Sequence, residues 1–139
     1  NVETVPSDTP PALLYTMLRV QDLDRSLRFY CDALGMQEMR RETFTDAEFT
    51  LVFVGYPDSH ALIELTYNWG TSEYDPGNAY GHIALEVPDV YEACAKMKAA
   101  GGKVIREAGP MNAGSTIIAF LEDPDGYQIE LIGEKHERG

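Results

Sequence analysis

Two glutamates, Glu64 and Glu130, each stand between aliphatic residues in segments that recur along this chain. When the chain is aligned with itself at an offset of about 66 residues, Glu64 pairs with Glu130, and Tyr15 pairs with His82. Carboxylates together with an imidazole suit Ni, Co, Zn, Fe or Mn. The repeat therefore predicts a metal site with two carboxylates, one imidazole and a phenol where symmetry would place a second imidazole.

Strand alternation determines which way these glutamates point. Because neighbouring side chains of a strand face opposite sides, both glutamates should lie on the face away from their aliphatic neighbours. A carboxylate buried in a sheet is costly without a partner, and a shared divalent cation would supply one. The alternative is that each glutamate is solvated, and that His82 is a structural histidine. The symmetric pairing favours the metal site.

The order of predicted elements is the same in both halves. Each half reads as a strand, a helix and three further strands, with helices that begin after Asp22 and Asp89 and end at Gly35 and Gly101. The predicted strands are 13–20, 37–44, 49–54 and 61–67, then 82–87, 103–107, 116–122 and 127–132. We therefore predict an α+β fold of two βαβββ modules.

The expected domain limits follow from this order. We expect a flexible tail at 1–12, a first module at 13–67, a linker loop at 68–80, a second module at 81–134 and a tail at 135–139. No stretch reads as a signal peptide, and no apolar run approaches the ~18–20 residues that span a bilayer. We expect a cytoplasmic protein, with an exported or processed form left open.

Composition narrows the classes of partner. The 139 residues include 23 acidic and 11 basic residues, for a net charge of −12. A field of this sign repels phosphate backbones, so we expect no nucleic-acid partner, and an anionic substrate would need local arginines. The two cysteines, Cys31 and Cys94, lie on the apolar sides of the predicted helices and are expected in the core.

Four longer motifs carry a resemblance to a known family. They are Leu-Tyr-Thr-Met-Leu-Arg-Val at 14–20, Ile-Glu-Leu-Thr-Tyr-Asn-Trp-Gly at 63–70, Ala-Tyr-Gly-His-Ile-Ala at 79–84 and Glu-Asp-Pro-Asp-Gly-Tyr-Gln-Ile-Glu-Leu at 122–131. With them the chain resembles glyoxalase I (lactoylglutathione lyase) of the vicinal oxygen chelate superfamily, in its compact bacterial form. The resemblance implies the glyoxalase / vicinal oxygen chelate fold.

The resemblance also implies a metal site and a reaction. In this family the metal is held by His, Glu, His and Glu, of which the last three fall on Glu64, His82 and Glu130, and the first on Tyr15. The implied reaction converts the hemithioacetal of methylglyoxal and glutathione into S-lactoylglutathione, and so detoxifies methylglyoxal. Glu130 is the predicted base, and Glu64 is a ligand and candidate second proton carrier. Nickel or cobalt is favoured over zinc.

Tyr15 departs from the family pattern and leaves three outcomes open. It coordinates as a phenolate, it stands aside from a site of three protein ligands and water, or the metal is lost. A phenol with an ordinary pKa of ~10 is a weak ligand unless the metal deprotonates it. Three protein ligands suffice in many catalytic sites, which favours the second outcome.

Substrate contacts and assembly are likewise implied by the resemblance. Arg19 and Asn68 match family positions that contact glutathione, whereas Asn112 stands where bacterial relatives tend to carry lysine. Arg19 could equally be an exposed strand charge, and Trp69 either walls the pocket or packs the loop. The family forms homodimers in which modules of different subunits pair. For this chain the resemblance therefore implies sites with Tyr15 and Glu64 from one subunit and His82 and Glu130 from the other.

Two other functions remain in view. The first is a non-catalytic small-molecule-binding protein of the same fold, whose ancestral site has decayed at Tyr15 and Asn112. The second is another enzyme of the superfamily, such as a ring-cleaving dioxygenase or an antibiotic-inactivating thiol transferase. Dioxygenase iron sites generally use two imidazoles, and only His82 is in place, so this alternative is the weakest.

Overall fold

Two four-stranded sheets form the frame of the computed structural model, which describes residues 5–112 and 114–134. The first sheet has the order β1-β4-β3-β2 and the second has the order β5-β8-β7-β6. Within each sheet the first strand pairs parallel to the last, and the other pairs are antiparallel. The strands are β1 (Tyr15–Arg19), β2 (Gln37–Phe44), β3 (Phe49–Gly55), β4 (Leu62–Asn68), β5 (His82–Val87), β6 (Lys103–Pro110), β7 (Ile117–Glu122) and β8 (Gln128–Gly133).

A helix follows the first strand of each half and starts at the predicted cap. The carboxylates of Asp22 and Asp89 each accept a hydrogen bond of 3.1 Å from the backbone amide three residues further on. This bond satisfies one of the free amides at the helix start. The helices are α1 (Leu23–Leu27) and α2 (Val90–Ala99). The α+β order of two βαβββ modules is therefore confirmed.

The first helix differs from the single α-helix that the sequence predicts between Asp22 and Gly35. After α1 the chain continues as a π-helical segment, Arg28–Ala33, in which the amide of Leu34 donates to the oxygen of Phe29 over 3.1 Å. A π turn holds one residue more than an α turn, which shifts the buried side of the helix. Ser26, Phe29 and Tyr30 are therefore buried. The leucines of this segment, Leu23, Leu27 and Leu34, are only partly buried.

One apolar core lies on the inner faces of both sheets. Leu65 and Leu131 are fully buried, whereas Glu64 and Glu130 project from the opposite faces of the same strands, as alternation predicts. The core cluster contains residues of both halves: Leu18, Val20, Phe29, Tyr30, Met36, Val52, Val54, Ile63, Leu65, Val90, Cys94, Met97, Ala119, Leu121, Ile129 and Leu131. Each sheet thus packs one face inward and presents the other outward.

Hydrogen bonds across the seam join the two halves. Their acceptors are the carboxylates of the turn at 123–126, and their donors lie in or just before the first helix. The hydroxyl of Tyr30 donates to Asp123 Oδ2 over 2.6 Å, and the backbone amide of Gln21 donates to Asp125 Oδ1 over 2.9 Å. The two modules are therefore held together by polar contacts as well as by the shared core.

The strands lie within the predicted module limits, except that β4 extends to Asn68. Where the independent folding units end stays a prediction. Residues 5–12 have no helix or strand, and the tail at 135–139, with His136, lies outside the described residues. Among the described residues, no helix is long and apolar enough to cross a membrane.

We predict that Tyr30→Phe destabilises the protein in a pH-dependent way. Burial raises the pKa of Asp123, so its ionised form is penalised and stability falls as the pH rises through that raised pKa. The Tyr30 hydroxyl opposes this shift, so the variant should lose about 1–3 kcal/mol of unfolding free energy at pH 7 and less near pH 4. Denaturant unfolding at both pH values measures the difference.

Tyr56→Phe is the matched control for this prediction. Its hydroxyl donates to the carbonyl oxygen of Leu34 over 2.6 Å and contacts no carboxylate. Its cost should therefore be the same at both pH values. An equal loss at both pH values for Tyr30→Phe would contradict the role given to Asp123.

Candidate functional site

The first sheet places Tyr15 and Glu64 on its outer face. In the parallel pairing of β1 with β4, Met17 lies directly beside Glu64, and Tyr15 precedes Met17 by two residues on the same face. On the other side of Glu64, the antiparallel partner is Phe53. Tyr15 is 46% exposed and Glu64 only 9% exposed. We call Tyr15, Phe53, Glu64 and Thr66 the first half-site.

The second sheet repeats this arrangement with His82 and Glu130. Ala84 lies beside Glu130 in the parallel pairing of β5 with β8, and His82 precedes Ala84 by two residues. The antiparallel partner of Glu130 is Phe120. His82 Nε2 lies 3.1 Å from Glu130 Oε1. We call His82, Phe120 and Glu130 the second half-site.

Aromatic contacts show how closely the two half-sites correspond. The rings of Tyr15 and Phe53 meet edge to face with centroids 5.1 Å apart, and those of His82 and Phe120 meet in the same way at 5.2 Å. Tyr15 thus occupies in the first sheet the position that His82 occupies in the second. The pairing of these two residues, inferred from the repeat, holds in three dimensions.

The two glutamates have different immediate neighbours. Thr66 Oγ1 donates a hydrogen bond of 2.5 Å to Glu64 Oε2, and both residues are buried. The residue two positions after Glu130 is Ile132, which has no hydroxyl. Thr66 was not predicted from the sequence as a site residue. Its signal is the Glu-Leu-Thr spacing, which places the hydroxyl on the same face as the carboxylate.

The two half-sites remain separate within one chain. Across residues 5–112 and 114–134, no group of three or more His, Cys, Asp or Glu side chains is close enough to hold a metal. Each half-site nonetheless offers donors that suit a divalent ion: a buried carboxylate in the first, and a carboxylate beside an imidazole in the second. Each half-site therefore fits part of a metal site. A complete set of ligands requires the outer face of the first sheet to meet an outer face of the second kind.

Two of the predicted substrate residues, Arg19 and Asn68, lie at one end of the first outer face, whereas Trp69 bonds to a residue of the opposite face. Arg19 is the last residue of β1 and is paired with Thr66, which places it on the Glu64 face. Asn68 Nδ2 donates to the hydroxyl of Tyr74 over 3.1 Å, and Trp69 Nε1 donates to Thr50 Oγ1 over 3.0 Å. Thr50 pairs with Tyr67 on the core-side face, so the latter bond holds Trp69 on that side of the sheet, where the residue is 38% exposed.

Two arginines next to the half-sites were not singled out in the sequence. Arg40 is the strand partner of Phe53, with its guanidinium carbon 5.1 Å from the ring centroid, and Arg106 is the strand partner of Phe120. Arg106 Nη1 donates to the carbonyl oxygens of Gly109 and Ile118, at 3.0 Å each, and so braces the strand end. The 66-residue offset between the two arginines was the signal that could have found them.

The remaining side chains with possible chemistry are not members of either half-site. Asn112 is exposed in the loop after β6, and His60 is exposed in a turn. Cys94 is buried and Cys31 half-buried, neither forms a disulfide, and burial raises the pKa of both thiols. A protonated, buried thiol is a weak nucleophile, which agrees with the predicted core role.

A groove of about 430 Å³ also lies away from the half-sites, on the side of the helices. Its walls include Arg25, Arg28, Met97 and Lys103. None of the predicted site residues lines it. The chemistry-bearing residues are instead on the open sheet faces.

Comparison with known proteins gives this arrangement a family. A family model described as the Glyoxalase/Bleomycin resistance protein/Dioxygenase superfamily matches residues 12–131. A probable lactoylglutathione lyase from Synechocystis sp. is 61% identical over 122 residues, which cover 86% of this chain and 93% of the relative.

Solved structures agree with this assignment. Glyoxalase I from Zea mays has a TM-score of 0.84 at 42% identity, with 88% of this chain and 44% of the maize chain covered, so this chain spans less than half of the maize protein. A Leishmania major glyoxalase I described as trypanothione-dependent has a TM-score of 0.79 at 43% identity, covering 90% of this chain and 88% of that one.

The chain belongs to the Glyoxalase/Bleomycin resistance protein/Dioxygenase superfamily and, within it, to the lactoylglutathione lyases, the glyoxalase I enzymes. The expected glyoxalase / vicinal oxygen chelate fold and the family drawn from the sequence motifs are thereby confirmed.

Proposed function

We propose that this chain is a metal-dependent glyoxalase I that converts the hemithioacetal of methylglyoxal and glutathione into S-lactoylglutathione. The observation that carries the proposal is the matched register of Glu64 and Glu130. Each lies on an outward sheet face, between a parallel first strand and an antiparallel strand that places a phenylalanine beside it. Two carboxylates and an imidazole in such positions serve a metal-assisted proton transfer, and 61% identity to a probable lactoylglutathione lyase supports the same reaction.

Glu64, His82 and Glu130 would hold the divalent ion, for which nickel or cobalt is favoured and zinc is an alternative. When bound, the ion supplies Lewis acidity to the two substrate oxygens. Glu130 takes the proton from C1 of the hemithioacetal and returns it at C2. Its carboxylate is 14% exposed, so bulk water has limited access to the proton while it is held.

In the proposed site Tyr15 stands aside from the metal. Its ring packs edge to face on Phe53, and the residue is about half exposed. Neutral phenols are weak ligands, whereas three protein ligands and water are a common catalytic set. The rival function, a binding protein with a decayed site, rests on the same tyrosine, because Tyr15 occupies the position that matches His82.

The complete site is proposed to form between two copies of the chain. One copy supplies Tyr15 and Glu64, and its partner supplies His82 and Glu130. The outer face of the first sheet carries exposed apolar side chains, including Tyr15 at 46%, Met17 at 38% and Phe44 at 39%. Apolar patches of this kind mark interaction surfaces, so a homodimer would cover them while joining the half-sites.

Arg19, Asn68 and Trp69 are the proposed contacts for the thiol part of the substrate. The net charge of −12 opposes anions at long range, so the guanidinium of Arg19 must attract a carboxylate locally. Glutathione is the proposed thiol, and trypanothione, named for the Leishmania relative, is the second thiol to test.

We place the reaction in the cytoplasm. We also keep the 68–80 loop as the proposed boundary between the two modules.

Metal-dependent isomerisation of the hemithioacetal is the direct test of the proposed function. Purified protein with methylglyoxal, glutathione and excess Ni²⁺ should form S-lactoylglutathione, and excess chelator should abolish the rate, because proton transfer requires a polarised substrate. Thioester absorbance reports the product. No turnover with Ni²⁺, Co²⁺ or Zn²⁺ would contradict the enzyme and favour the binding protein.

Tyr15→His should raise both metal affinity and turnover. A fourth strong ligand replaces a weak one at a position that matches His82, and we expect about 10-fold tighter metal binding. Tyr15→Phe is the matched control, because it keeps the ring and removes only the hydroxyl. If Tyr15 stands aside, the phenylalanine variant keeps its metal; loss of metal from it would show that the tyrosine coordinates as a phenolate.

A further inference from the structure

We infer that Thr66 is the positioning residue that makes the two repeat-related glutamates unequal, by fixing the carboxylate of Glu64 for metal binding. The inference rests on the proposed function, because it concerns how that site is built. It assigns to Thr66 a role that acts on the metal through Glu64.

The contact between Thr66 and Glu64 is buried on the outer face of β4. Thr66 is 7% exposed and Glu64 9% exposed, and the hydroxyl donates to Glu64 Oε2 over 2.5 Å. Because the two residues are separated by two positions in one strand, their side chains stand side by side on one face. The hydroxyl occupies a lone pair of Oε2 and leaves Oε1 to approach a metal.

The rotamer of Thr66 adds to the rigidity of this contact. A β-branched side chain in a strand has few accessible rotamers, so the hydroxyl is held where the strand places it. The carboxylate of Glu64 then loses little further freedom when it binds an ion. Partners of metal ligands that fix ligand orientation in this way typically contribute 10–100-fold to affinity.

The second half-site lacks the equivalent restraint. Ile132 occupies the position that Thr66 has in the first half, so no hydroxyl from that position reaches Glu130. The carboxylate of Glu130 lies instead beside the imidazole of His82, at 3.1 Å. Glu64 is thus held by a hydroxyl of its own strand, whereas Glu130 contacts a titratable imidazole of the neighbouring strand, which matches a metal ligand and a proton carrier.

The test compares Thr66→Val, which keeps the shape and removes the hydroxyl, with Thr66→Ser, which restores a hydroxyl. Ni²⁺ affinity is measured without substrate by competition against a chromophoric chelator, and kcat and KM are measured separately on the loaded protein. Thr16→Val is the matched control, since Thr16 lies on the neighbouring strand opposite Ile63, away from the Glu64 face. Thr66→Ala serves if the valine variant does not fold.

Thr66→Val should bind Ni²⁺ at least about 10-fold more weakly, whereas Thr66→Ser and Thr16→Val should stay within about threefold of wild type. KM for the hemithioacetal should change less than the Ni²⁺ affinity, because the hydroxyl of Thr66 is engaged by the Glu64 carboxylate. Wild-type turnover with unchanged affinity in Thr66→Val, or equal losses in Thr66→Val and Thr66→Ser, would overturn this inference alone. A wild-type protein without metal binding or turnover would contradict the proposed function, and this inference with it.

Discussion

The two-residue period of strands β4 and β8 is the constraint on which the rest of the molecule depends. In each strand it turns aliphatic residues into the core and one glutamate to the outside, at a position fixed by the parallel strand on one side and the antiparallel strand on the other. A shift of one residue in register would bury both carboxylates and expose the core, so register is strongly specified.

The same constraint explains why the two half-sites are apart. The inner faces of both sheets share one core, and the seam is closed by hydrogen bonds such as that from Tyr30 to Asp123. Because the inner faces of both sheets pack in this core, their outer faces point away from it, and so do the half-sites that they carry. In the proposed assembly, a second copy brings the outer face with Glu64 to the outer face with His82 and Glu130.

Much of this was accessible from the sequence, because it is encoded locally. The strands, the caps at Asp22 and Asp89, and the equivalence of Tyr15 with His82 follow from alternation, cap chemistry and the internal repeat. The π-helical segment and the hydrogen bond of Thr66 were missed. The π-helical segment depends on packing against other elements, which no local pattern contains. The Thr66 bond is instead local to β4, and strand alternation over Glu-Leu-Thr could have predicted it. The metal site, in the proposed assembly, depends further on a second chain.

The most direct test of the central claim, that two copies complete each other's half-sites, mixes two inactive variants. Glu64→Gln and Glu130→Gln should each abolish turnover as homodimers, because each breaks both shared sites. After equimolar mixing and subunit exchange, half of the dimers are mixed and each contains one intact site, so about a quarter of the wild-type rate should return. Recovery of activity in this mixture is the result the account predicts; a mixture that exchanges subunits yet remains inactive would contradict it.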